Sequence, residues 1–238
     1  KYSIIDLDWA TTLLKSKVTS NEYERMNRNE GGHLVDSNCG EGNCNGSKAL
    51  LSENSLGILL VGVPSYLQRG DPTSEIRFKT GMLEAHEYFH TIQDMPMFEK
   101  NISGDNWPPR WFVEGGAEFV QNAVVNYESY SKFQEFRDSD CSAQCLLISE
   151  GEISRYISGI YPVDDPAKFE QYLAYNLGSK VIECLIALKD LNSIINMYKE
   201  LSKGIGWDAA FLNVYNLEWK NIYPLFAKSI AANLKEGI

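Results

Sequence analysis

The sequence predicts an α+β fold, with a small mixed N-terminal sheet and a motif-bearing helix, followed by an all-helical C-terminal subdomain. Three observations carry this reading. The apolar run Leu56-Gly-Ile-Leu-Leu-Val-Gly-Val63, closed by Pro64, has the length and composition of a strand. The five residues His86-Glu87-Tyr88-Phe89-His90 spell H-E-x-x-H, a pattern that needs a helix to bring its two ends to one face. Beyond Pro166 the apolar residues recur at helical spacing almost without a break.

Along the chain, Tyr2-Ser3-Ile4-Ile5 is strand-like, and a helical pattern follows through Trp9, Leu13 and Leu14. Residues 29–47 are rich in Gly, Asn and Ser, which predicts a long surface loop, stapled if Cys39 pairs with Cys44. The run at 56–63 reads as a buried or an edge strand. Asp71-Pro72 supplies an N-cap and a first-turn proline, so a helix over 71–93 should carry the H-E-x-x-H, with Gly81 as its weak point. Met95-Pro96 should end that helix. A second helix is expected over 111–130, an irregular stretch over 131–165, and further helices over 169–188, 191–202, 207–214 and 219–234. The whole reads as one domain over 1–238, mixed α/β over about 1–95 and mainly helical over about 96–238.

Hydrophobic residues at 44% and charged residues at 23% match an ordinary soluble globular domain. The formal charge of −10 argues against a nucleic-acid partner, whose phosphates need a basic surface, and against anionic membrane surfaces. No apolar run approaches the roughly 18–20 residues that span a bilayer. The chain starts at Lys1 without a signal segment, as expected of a mature secreted chain or an excised domain. Cys39 and Cys44 lie five apart, Cys141 and Cys145 four apart, and Cys184 sits in an apolar helical pattern. Two local disulfides and one buried free thiol are the expected arrangement, with a secreted or periplasmic location. Five reduced thiols are the alternative. A four-cysteine zinc site is disfavoured, because neither pair has C-x2-C spacing.

The chain has three histidines, and two of them lie in the motif. Four apart on a helix, His86 and His90 can grip one metal ion, and Glu87 can take a proton from a water that the metal activates. A catalytic zinc site usually has three protein ligands and one open position. No histidine follows His90, which excludes a third-histidine site. Glu114 lies 24 residues beyond His90, in Trp111-Phe-Val-Glu114-Gly-Gly-Ala-Glu118-Phe. The small residues there should let a second helix pack closely on the first, and Glu114 completes a set of two histidines and one glutamate. Glu118, one turn on, either accepts the free N–H of a ligand histidine or is a solvated helix residue. Asp94 reads as a helix-end carboxylate and His33 as a surface residue.

These residues resemble the gluzincins, zinc metallopeptidases whose third ligand is a Glu on a separate helix. The wording is closest to bacterial collagenase-like peptidases and aminopeptidase-type domains, which join an H-E-x-x-H helix to a W-x-x-E-G-x-A segment. Tyr175-Asn-Leu-Gly178 is similar to their Y-x-x-G segment, and Trp207-Asp-Ala-Ala-Phe211 to an element of their helical subdomain. The resemblance spans roughly 55–230 and is specific over 83–93, 111–119 and 172–185. It implies a thermolysin-like architecture and one zinc per chain on His86, His90 and Glu114. It also implies Glu87 as general base and Tyr175 as oxyanion donor, although Tyr175 or Tyr172 could equally be core residues. The strand at 56–63 would line the cleft and pair with an extended peptide. No G-x-M-E-N element, which anchors the substrate amino terminus in the aminopeptidases, is present. An endopeptidase is therefore expected, with a peptide or protein substrate held between the mixed and the helical halves. Two other readings stand beside it. One is a zinc-stabilised binding module without catalysis, against which an intact Glu87 argues. The other is a zinc hydrolase of a non-peptide amide.

Overall fold

The structure is a computed structural model that describes residues 7–35, 39–40, 43–44, 47–54, 56–62, 77, 79–100, 102, 106–139, 148–159 and 173–236. Among the described residues there are ten α-helices and two antiparallel strand pairs, so helix dominates the α+β fold. No helix among them is long and apolar enough to cross a membrane. The chain forms two compact units, 1–91 and 92–238.

The first unit holds α1 (Leu7–Lys15) and α2 (Ser20–Asn29). It also holds β1 (Cys39–Gly40), β2 (Asn43–Cys44), β3 (Ser47–Leu51), β4 (Gly57–Val61) and the first part of α3 (Met82–Glu99). The Thr19 side chain caps α2 by accepting from the Glu22 N–H at 3.2 Å. Leu14, Val18, Tyr23, Met26 and Leu34 form the core. β3 and β4 pair antiparallel, with Ser47 opposite Val61, Leu50 opposite Ile58 and Leu51 opposite Gly57. Side chains alternate across a strand, so Leu50, Ile58 and Leu60 share one face and pack on that core. Ser47 and Gly57 share the other face, which meets α3. Ser47 hydrogen-bonds Glu87, and a Cβ at Gly57 would stand 3.1 Å from Thr91 Cγ2.

Contacts on both faces explain why the run at 56–63 is continuously apolar rather than alternating. Among the described residues the strand lies half-buried in a two-stranded sheet and so is an edge strand, the second of the two readings, while its partner β3 was not foreseen. Nor is 29–47 simply a loop. β1 and β2 pair there with Cys39 opposite Cys44. Residues 2–5, Asp71-Pro72, Cys141 and Cys145 lie outside the described residues.

The limits of α3 differ from expectation at both ends. Gly81 has φ +83°, a left-handed conformation that interrupts a helix, and α3 begins at Met82. Pro96 sits inside α3, which runs on to Glu99. Proline's fixed φ is helical, and it forfeits one backbone hydrogen bond close to the end, where little helix depends on it.

The second unit holds the rest of α3, then α4 (Arg110–Val125), α5 (Tyr130–Ser139) and α6 (Glu150–Ile157). A π-helical turn (Leu173–Leu177) leads into α7 (Gly178–Leu188), followed by α8 (Asn192–Leu201), α9 (Trp207–Tyr215) and α10 (Trp219–Glu236). α4 stops short of the expected 130. Asn126 bonds back to the Asn122 carbonyl through both its backbone N–H and its side-chain amide, a local alternative to further helix. The stretch expected to be irregular contains α5 and α6. A Ser149–Glu152 capping box opens α6, which buries Ile153, Tyr156 and Ile157. The more polar α5 is held from outside: Arg137 Nε bonds both Glu183 oxygens at 2.7 Å, and its Nη2 bonds Asn233 Oδ1 at 3.0 Å. Cys184 on α7 is a free thiol, half-buried rather than fully buried. Burial, and then Glu183, push its pKa up to about 11.

An aromatic cluster anchors α4. Trp111 stacks on Trp219 at 5.7 Å and meets Trp207 edge-on at 5.2 Å, while Phe112 lies 5.0 Å from Tyr198. The glycine after Glu114 was expected to serve packing on α3; the contact it makes is with α7. A Cβ on Gly115 would fall inside the Gly178 backbone, and one on Gly178 would collide with the Trp111 carbonyl. Neither neighbour is a flexible side chain. Gly178→Ala should therefore lose about 1–3 kcal/mol of stability or more. Urea unfolding measures this, and an unchanged midpoint would mean that the two backbones do not touch.

Candidate metal centre

α3 presents His86 and His90 one turn apart, their ring centroids 4.8 Å from each other and the planes at 79°. His86 is buried and His90 half-buried. Glu114, half-buried, lies in the second turn of α4. One ligating atom from each of the three lies within 4.8 Å of the others, a group that could hold a metal ion. Two imidazoles and a carboxylate are a donor set able to ligate a metal ion. Local bonds place Glu114. Gln93 on α3, fully buried, donates through Nε2 to the Val113 carbonyl at 2.9 Å, one residue before the ligand.

Glu87 is 5% exposed, and its Oε1 accepts from Ser47 Oγ at 2.7 Å. Glu118 is also buried, which removes the solvated-residue reading, and it accepts from the Gln121 amide. Asp94 is half-buried. Burial first, then the nearby charges of Asp94 and Glu114, push the pKa of the fully buried Tyr198 well above its ordinary value.

Tyr175 lies on the π-helical turn, three residues before Gly178, and the Gly115–Gly178 approach sets it beside Glu114. Its hydroxyl donates to Glu114 and accepts from Arg110. Burial first, then Glu114, push its pKa up to about 12, while Arg110 pulls the other way. Tyr172 lies outside the described residues. His33 is exposed and is not part of the ligand group.

Ser47, Arg110 and Tyr198 were missed in the sequence. Arg110 had a signal, since it precedes Glu114 by one turn and shares its face. Ser47 and Tyr198 had none, being brought to their partners only by folding.

Comparison with protein families, with curated proteins and with solved structures gives no match. The class of this chain is therefore defined by fold and site: a mostly helical α+β protein with a two-histidine, one-glutamate group suited to a metal.

Proposed function

We propose that the chain is a zinc-dependent hydrolase of peptide bonds, an endopeptidase of gluzincin type. The observation that carries this is the buried Glu87 carboxylate beside a ligand set of His86, His90 and Glu114. A purely structural metal has no use for an ionisable group held out of solvent there. That disfavours the zinc-stabilised module.

His86, His90 and Glu114 would hold a zinc ion, which would supply a Lewis acid for water and for the scissile carbonyl. Glu87 takes the proton from the attacking water and passes it to the leaving amine. Tyr175 donates to the oxyanion, which requires its hydrogen to turn away from Glu114. Glu118 orients a ligand histidine by accepting its second ring N–H. A secreted or periplasmic location is part of the proposal and rests on the two cysteine pairs.

Two measurements together test it. Elemental analysis should find one zinc per chain and none in Glu114→Ala. An excess of chelator should abolish cleavage of casein while circular dichroism keeps its helical signal. Full zinc retention in Glu114→Ala, or cleavage indifferent to chelator, would overturn the proposal.

A further inference from the structure

We infer that Ser47 is a positioning residue for Glu87, its hydroxyl holding one carboxylate oxygen so that the other is presented to the proton it must accept. This rests on the hydrolase reading above.

The hydrogen bond is direct, Ser47 Oγ to Glu87 Oε1 at 2.7 Å. An ionised carboxylate only accepts, so the serine donates, and a bond to a charged acceptor is among the stronger ones. Glu87 is buried, so bulk water cannot replace this donor when it is lost. One fixed oxygen sets the plane of the carboxylate and leaves Oε2 for chemistry.

The hairpin is built to deliver that hydroxyl. Ser47 opens β3 and is locked opposite Val61, a strand position rather than a loop. Gly57, on the same face, closes the contact with α3 at Thr91, one turn beyond Glu87. The other residues on this face are Ala49, Leu51, Gly57, Leu59 and Val61, none with a hydrogen-bonding side chain. Among the described residues, Ser47 is thus the one polar side chain on the β3–β4 face toward α3, and it bonds Glu87. Lys48, next in sequence, points to the opposite face and pairs with Glu30.

A merely structural strap would use the same bond to hold the hairpin to the helix, so the test must separate the two roles. Ser47→Thr and Ser47→Val are nearly isosteric and differ in the hydroxyl. The full zinc-loaded chain is assayed on a quenched peptide library, with zinc content and thermal midpoint measured on each variant. Ser47→Val should lose roughly ten- to hundredfold in kcat with KM within about twofold and zinc complete, whereas Ser47→Thr keeps most of the rate. On the metal-free protein, the stability changes of Ser47→Ala and Glu87→Ala, each of which removes the bond, should be non-additive in a double-mutant cycle.

An additive cycle overturns the contact. Equal rates for Ser47→Val and Ser47→Thr in an active enzyme overturn the positioning role and leave the hydrolase intact. A wild-type chain that holds zinc yet cleaves no peptide overturns the hydrolase reading, and the positioning role with it.

Discussion

Glu87→Gln is expected to keep its fold and its metal and to lose nearly all turnover. The amide has the size of the carboxylate, and its oxygen can still accept the Ser47 hydroxyl, so the 2.7 Å contact between β3 and α3 survives the change. What the amide cannot do is take a proton. General-base catalysis contributes roughly 10²- to 10⁴-fold, and kcat should fall by about that factor. The ligands His86, His90 and Glu114 are untouched, so zinc content serves as the internal control. A variant that keeps more than roughly a tenth of its activity with zinc in place would put the base elsewhere.

Tyr175→Phe carries the second large effect. The hydroxyl stands between Glu114 and Arg110, and its pKa, pushed up to about 12, keeps it a proton donor through neutral pH. If that proton turns to the oxyanion, losing it costs about 2.7–4 kcal/mol, a hundred- to a thousandfold in kcat, with KM changed far less. If the hydroxyl instead serves Glu114, the loss falls on the metal, with affinity lowered roughly 10- to 100-fold and turnover restored by added zinc. Measuring kcat across a zinc titration separates the two. Normal kcat at saturating zinc would retire the oxyanion role, and normal affinity as well would leave Tyr175 a packing residue.

The sequence by itself determined what depends on neighbours a few residues apart. His86 and His90 share a face because a helix turns every 3.6 residues, and the C-terminal helices showed in an apolar period of the same length. Glu114 was legible from its own segment, a carboxylate followed by small residues that allow a close helix approach. The reading failed where a residue acted against its local pattern. Pro96 does not end α3 and Asn126 ends α4 early, whereas the break at Gly81 falls at the weak point the sequence marked.

Only the tertiary structure decided what depends on partners far along the chain. α5 has too few apolar residues to announce itself and is tied by Arg137 to Glu183 and Asn233. The glycine after Glu114 signalled close packing, but that its partner is Gly178 was set by the approach of α4 and α7. Ser47 stands forty residues before Glu87, and no spacing rule joins a strand residue to a helix residue at that distance. Strand and helix periodicities say which face a side chain takes. Which other face it meets is set by how the elements pack, because burial is non-directional and is settled only by the whole core.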